Sequence, residues 1–542
     1  MRAATVWMIL AAAVAGRPAS AQDRGDVSGL AADAELVETR TQVPRLKAAA
    51  AYEPRDGIVE IELSEYAGYA GLIAANRGLE PSDESIFSRR HGFKLRITIS
   101  EEESWSALNA GRMAASATTV DVLAAYGEQF KVKVPALIGF SRGADGIVVL
   151  KEIARINDLK GRVIATAQFT EADFLLRYLA QEAGLGVNML PDLSTAPDPG
   201  QINVVYCADA FGAGDLFLRD LKAGRKRLAG CVTWAPKTTE VAEASGGAAH
   251  VLVTNRNLLI VADVLVVNAG FAKNHPAMVH GLVAGLLEGN ALVREKPEDH
   301  LAAIARAFGW TTDEAREELA KVHLANFPEN QAFFAGTLES AGSFEYIFET
   351  AGYVYGSRLI GALAPAGGFI DPGPLAEIER SGQFRNQKAA ITPIKGRGGP
   401  AETDPDAERL ETVALLSKDI RFQFKPNSSK LESDNEQNRK GLQSIAQLVK
   451  VSPGSTVLLR GHADGSLAVK ARQTQGEAKA REMFLALKSL SRARCAEVKR
   501  VLEESFRIDP QRIEAQGVGA DEPTGQGPDA DRRVEVLWMV LE

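Results

Sequence analysis

Apolar positions along the first 380 residues switch repeatedly between two periods. Val59, Ile61 and Leu63 alternate with Ile58, Glu60 and Glu62, the period-two signature of a strand. A glycine-containing loop, Ser64-Glu65-Tyr66-Ala67-Gly68-Tyr69, leads into a helical segment ending near Gly78. Strands are predicted over 94–99, 114–117, 136–140, 146–150 and 162–166, with helices over 105–110, 120–126 and 171–183. This alternation predicts an α/β protein with largely parallel sheets, in which ligands sit in the loops at the carboxyl ends of strands.

The character changes after residue 380. Residues 385–412 hold Pro393, Gly396, Gly398, Gly399, Pro400 and Pro405 among charges, a composition suited to an exposed linker. A second α/β pattern starts with a predicted strand over 420–424, followed by helical spacing at Leu442, Ile445, Ala446 and Val449. No internal repeat is evident. At the other end, Arg2 precedes the apolar run from Val6 to Ala15, and Pro18-Ala19-Ser20-Ala21 precedes Gln22. That is the arrangement of a secretory leader, too short to span a bilayer, with no following cysteine to carry a lipid. No later stretch reads as long and apolar enough for a transmembrane helix. The expected organisation is a leader at 1–21, an extension without periodicity at 22–56, a two-lobed domain at 57–384, a linker at 385–412 and a smaller α/β domain at 413–542.

At 542 residues, with 45% hydrophobic and 24% charged, the chain has material for several cores. A formal net charge of −8 speaks against nucleic acid as a partner. The three cysteines make neither a disulfide scaffold nor a metal cluster. Cys207 and Cys231 end and begin strand-like runs; they are either a disulfide between neighbouring strands or two small buried residues. The seven histidines lack metal-ligand spacing, and no phosphate loop or nucleophile elbow occurs. The expectation is a protein without catalytic activity, metal or cofactor.

Residues 57–350 resemble the SsuA/TauA/nitrate-type substrate-binding proteins of ABC transporters. The resemblance lies in the 64–69 loop, Leu108-Asn109-Ala110-Gly111-Arg112 leading to Thr118-Thr119-Val120-Asp121, Ser141-Arg142-Gly143-Ala144-Asp145, Asp158-Leu159-Lys160-Gly161, Thr233-Trp234-Ala235-Pro236 and Ala262-Asp263-Val264. It implies two α/β lobes joined by a hinge and closing on one small polar solute, held by loop donors at helix N-termini. The implied solute residues are Glu65 and Tyr66 in the first loop, Thr118 and Thr119, Gln168 and Thr170 in the second lobe, and Trp234 as an aromatic wall. Thr170 with Asp173 equally suits a helix cap, as does Thr119; Trp234 equally suits a core and Glu65 an exposed loop.

Residues 420–542 resemble the OmpA-like domain that binds the diaminopimelate peptide of peptidoglycan. The carriers are Phe422 and Phe424, Gly461-His462-Ala463-Asp464, Leu490-Ser491-Arg492-Ala493-Arg494 with Val498, Gly517-Val518-Gly519, and Asp531-Arg532-Arg533. The resemblance implies that Asp464 takes the ammonium of diaminopimelate, that Arg494 forks onto its carboxylate, and that Arg532, or else Arg533, adds a contact. The alternative is that Asp464 and Arg494 pair with each other. Ala463 and Asp531 depart from the usual Thr and Asn, and a polar insertion around 468–486, expected to be helical, separates Asp464 from Arg494. Together the resemblances imply a periplasmic, wall-tethered solute receptor with an ABC permease as the family's usual partner; an envelope sensor and a structural wall protein are the other readings.

Overall fold

The computed structural model describes residues 36–100, 104–338, 342–391, 414–425, 428–432, 434–452 and 454–540. The expected leader, the first part of the extension and most of the expected linker lie outside the described residues.

Two six-stranded sheets organise the first 391 residues. The first lobe contains β1 (Ile58–Leu63), β2 (Lys94–Ile99), β3 (Ala115–Thr119), β4 (Val132–Ser141), β11 (Ala262–Asn268) and β12 (Val322–Leu324), in the order β12-β4-β11-β3-β1-β2. The second contains β5 (Asp145–Leu150), β6 (Val163–Ala167), β7 (Val187–Met189), β8 (Ile202–Cys207), β9 (Gly230–Trp234) and β10 (Ala249–Thr254), in the order β10-β5-β9-β6-β8-β7. The period-two pattern of β1 is satisfied as written, with Val59, Ile61 and Leu63 buried. The expectation of largely parallel sheets needs correction. β1 lies parallel to β2 and β3, and β6 parallel to β8 and β9, but β11 runs antiparallel to β3 and β4, and β5 to β9 and β10. The physical reason is connectivity: the chain crosses between the lobes at 142–144 and at 255–261, and in each lobe one strand beside a crossing, β11 in the first and β5 in the second, runs against the parallel set. The result is two α/β lobes joined by these crossings.

Two further segments bind the lobes together. Residues 36–52, which lack any sequence period, form a strap. On the second lobe, Val37 N–H donates to the Tyr206 carbonyl at 2.9 Å and Thr39 Oγ1 to the Leu190 carbonyl at 2.6 Å. On the first lobe, Leu46 N–H donates to Gln129 Oε1 at 3.0 Å, Ala50 N–H to the Asn109 carbonyl at 3.0 Å and Tyr52 N–H to Asn268 Oδ1 at 3.2 Å. Partners drawn from scattered loops and side chains leave no periodic trace. The helix Phe344–Ile360 packs against both Val120–Tyr126 and Glu171–Glu182, and its Tyr355 hydroxyl donates to the Thr170 carbonyl at 3.2 Å.

The helix Pro276–Glu295 corrects another expectation: by length and composition alone it is apolar enough to cross a membrane. Its apolar faces are instead taken up by the first lobe's core. A Cβ at Gly289 would stand 2.0 Å from the Gly71 carbonyl oxygen, so only glycine permits this approach between the helices. Gly289→Ala is therefore expected to lower stability by about 1–3 kcal/mol or more through overpacking, visible as a fall in Tm; an unchanged Tm would refute the close approach.

The C-terminal sheet holds β13 (Leu416–Ile420), β14 (Thr456–His462), β15 (Ile513–Gly519) and β16 (Val534–Met539), in the order β13-β16-β14-β15. The predicted strand at 420–424 is displaced: the strand lies at Leu416–Ile420, just before it. At Gln423 the main-chain N–H and carbonyl are both bound by the Asn438 amide, at 2.7 Å each, which replaces a strand partner. The insertion is helical, as expected. It forms Ser466–Gln475 and the start of Glu477–Phe506, whose later turns lie close over β14, where a Cβ at Gly461 would meet the Ser491 carbonyl oxygen at 2.6 Å. This domain docks on the second lobe and its crossing. The Asn157 amide exchanges hydrogen bonds with the main chain of Ser417 at 2.8 and 2.9 Å, and Leu259 N–H donates to the Val451 carbonyl at 3.2 Å. Cys207 and Cys231 are buried and not joined in a disulfide, and β6 separates their strands.

Candidate functional site

A cleft with about 680 Å³ of empty space, its open mouth included, lies between the lobes. The first lobe contributes the ends of β1 and β3 with the loop after β1, and the second lobe contributes Asp145 at the start of β5, Glu171 and Trp234 at the end of β9. Ser141 and Val261 enter from the two crossings. The cleft thus sits at strand ends, where an α/β sheet presents loops and helix starts rather than paired backbone.

Of the seven residues the sequence suggested for a solute, the structure brings Tyr66, Thr118, Thr119 and Trp234 into this lining. Three stand elsewhere. Glu65 Oε1 accepts from Trp310 Nε1 at 2.6 Å and is not in the lining. The Gln168 amide is engaged by the strap, accepting from Arg40 N–H at 2.9 Å and donating to the Arg40 carbonyl at 2.7 Å. Thr170 precedes the helix Glu171–Glu182, but its hydroxyl donates to the Ala167 carbonyl at 2.9 Å and makes no cap bond.

The lining also holds groups the sequence reading passed over: Glu62, Asp145, Glu171 and Asp263. Tyr69 donates its hydroxyl to Asp263 Oδ1 at 3.1 Å, and Asn255 Nδ2 donates to Asp145 Oδ2 at 2.8 Å. Burial lifts the Asp263 carboxyl well above its ordinary range, and the nearby Asp145 lifts it further. Burial raises Asp145 as well, against the hydrogen bonds from Ser141 and Asn255.

A second concavity, of about 720 Å³ with its mouth, lies in the C-terminal domain and is lined by Arg421, Phe424, His462, Arg494, Arg532 and Arg533 among others. The Arg494 guanidinium lies 4.8 Å over the Phe424 ring, and its Nε makes no hydrogen bond within the protein. Burial and the neighbouring Arg532 both weaken its hold on its proton. Asp464 does not pair with Arg494. It accepts from Arg532 Nη2 at 2.9 Å and from Ser466 N–H at 2.9 Å. Although burial works against it, these bonds hold the Asp464 carboxyl below its usual value. The arrangement leaves a half-buried guanidinium in an open, strongly basic groove, while Asp464 stands outside the lining and is tied to it through Arg532.

Residues 423–536 match the OmpA family. The OmpA segment therefore contains Asp464, Arg494, Arg532 and the whole helical insertion. No curated protein matches the chain. Among solved structures, the alkanesulfonate-binding protein SsuA from Xanthomonas axonopodis pv. citri bound to MOPS is similar at 14% identity, over 59% of this chain and 99% of that one, with a TM-score of 0.44. The periplasmic aliphatic sulphonate binding protein SsuA from Escherichia coli is similar at 17% identity, over 64% of this chain and 100% of that one, with a TM-score of 0.43. The desulfurization enzyme DSZB is also similar, at 14% identity over 60% of this chain and 99% of that one, with a TM-score of 0.40.

Proposed function

We propose that this protein is a periplasmic receptor that captures a small polar solute between its two lobes and is held to the cell wall by its OmpA domain. One observation carries the reading: a single cleft takes polar side chains from both lobes, with Ser141 and Val261 entering where the chain crosses between them. Such a site is complete only when the lobes are together, which is how a hinged receptor couples capture to closure. The protein is read as non-catalytic, without metal or cofactor, over the domain limits given above. In the OmpA domain, Arg494 forks onto the diaminopimelate carboxylate, Asp464 takes its ammonium, and Arg532 both orients Asp464 and adds a contact.

Delivery to an ABC permease is one use of such capture. Envelope sensing is the second reading, and the Leu259–Val451 hydrogen bond favours it, since it joins a crossing between the lobes to the wall-binding domain. A thermal-shift screen of the mature chain tests capture. A solute at a hundred times its Kd adds about 2.7 kcal/mol of stability, so a saturable rise of several degrees is expected. Sedimentation with purified peptidoglycan tests the wall contact. A chain that sediments but shows no shift with any solute would be a structural wall protein instead.

A further inference from the structure

The structure assigns the interlobe cleft to an organic cation: a small solute carrying an ammonium or guanidinium group. This deepens the receptor reading and rests on it. Four carboxyl side chains line the cleft, Glu62 and Asp263 from the first lobe and Asp145 and Glu171 from the second, with no Lys, Arg or His among the described lining residues.

Several other buried carboxylates of this protein are matched with cations, although Asp121 is not. Asp173 is paired with Arg177 at 2.8 Å, Asp220 with Arg227 at 2.8 Å, and Glu318 with Lys321 at 2.6 Å. Asp145 and Asp263, both nearly inaccessible, face only neutral donors, the Asn255 amide and Ser141 hydroxyl at Asp145 and the Tyr69 and Tyr66 phenols at Asp263. A buried acid without a counter-charge costs stability, and a cationic ligand supplies the missing charge.

A second feature points to a ligand independently of charge. The hydroxyls of Tyr66 and Thr119 line the cleft, belong to residues more than nine-tenths buried, and reach no partner at hydrogen-bond geometry within the protein, while the Ser141 hydroxyl lies beside Asp145. Buried polar atoms are otherwise almost always satisfied. These oxygens accept N–H donors as readily as the carboxylates do. Tyr66, Tyr69, Trp105 and Trp234 add aromatic surface, which attracts an organic cation and gives a bare metal ion no ligand atoms of its usual kind. A sulfonate or nitrate would meet carboxylates and find no cation.

The charge state follows. Asp263 faces Asp145, Asp121, Tyr66 and Tyr69, and Asp145 faces Asp263, Ser141 and Asn255. None of these groups is cationic, and burial raises both carboxyls. An entering cation then competes with a proton, so its affinity rises with pH.

Calorimetry and thermal shift on the mature chain test the assignment, using choline, putrescine, agmatine and arginine against taurine, methanesulfonate and nitrate. At least one cation is expected to bind saturably, with affinity at least tenfold weaker at pH 5 than at pH 8. Asp263→Asn and, independently, Asp145→Asn each weaken it at least tenfold while retaining a cooperative unliganded melt. Saturable binding of one of the anions with no cation bound overturns the charge assignment and leaves the receptor reading standing. Binding of neither class overturns both.

Discussion

Arg494→Ala is expected to abolish retention of the chain on peptidoglycan. The guanidinium is half-buried over Phe424, its Nε has no partner in the protein, and the charged group that acts on it is another cation, Arg532. It is therefore already desolvated before the wall peptide arrives, and a carboxylate meets it without a protein competitor. Removing one member of such a desolvated, hydrogen-bonded charge pair costs about 2–5 kcal/mol, roughly 30-fold to several thousand-fold in affinity. Lysine does not replace it, because a point charge lacks the planar two-donor fork that a carboxylate accepts. Asp464→Asn gives a loss of the same order, since it removes the carboxylate for the ammonium and releases Arg532. Folding is not the cause in either case. Arg494 is disfavoured as a charge where it stands, so its removal leaves Tm nearly unchanged, less about 0.5–1 kcal/mol for the ring contact. Sedimentation of Arg494→Ala with peptidoglycan at the wild-type level would refute the assignment.

What the sequence made legible follows from where each element's hydrogen bonds and burial originate. The strand Ile58–Leu63 and the helix Val120–Tyr126 are set by local alternation and helical spacing, and both stand where the pattern put them. The strap at 36–52 and the segment at Gln423 are held by partners far along the chain, such as Tyr206 for Val37 and Asn438 for Gln423, and no local period encodes such bonds. The cleft divides in the same way. Tyr66, Thr118, Thr119 and Trp234 lie at strand ends or just past them, a position that period two reveals. Glu65 and Trp310 lie 245 positions apart, so the hydrogen bond that holds Glu65 is invisible from its neighbours. Asp145 and Asp263 left a fainter signal: each is a lone acid at the edge of an otherwise apolar run, Gly146-Ile147-Val148-Val149 after one and Val264-Leu265-Val266-Val267 after the other. An acid with no exposed face on a fully buried strand is an anomaly worth assigning. What it faces emerges only when the two crossings bring the lobes together.

Arg177→Met destabilises the second lobe by about 3–5 kcal/mol, the cost of leaving a buried carboxylate without its cation. Asp173 is fully buried on the helix Glu171–Glu182, and Arg177, one turn later, reaches its Oδ1 with Nε at 2.8 Å. Arg177 Nη2 also donates to the Tyr206 hydroxyl at 2.7 Å, and its guanidinium lies 5.8 Å from the centre of the Tyr355 ring. Burial outweighs even this partner at Asp173, whose carboxyl is held above its ordinary value. Arg177 leans the other way: burial weakens its hold on its proton, but Asp173 and Tyr206 more than offset this, so the carboxylate is the member that depends on the pairing. Two results follow with opposite signs. Removing the cation alone lowers Tm by roughly 10 °C, at about 2–4 °C per kcal/mol for a unit of this size. Removing both charges, in Asp173→Leu with Arg177→Met, restores most of that loss, because nothing charged is left buried. A double variant no more stable than Arg177→Met alone would mean that the pair contributes through its hydrogen bonds to Tyr206 and the helix start rather than through charge compensation. A benign Arg177→Met would mean that Asp173 is satisfied without it. The same accounting separates this pair from the cleft: Asp173 has its cation inside the fold, whereas for Asp145 and Asp263 a cation has to come from outside.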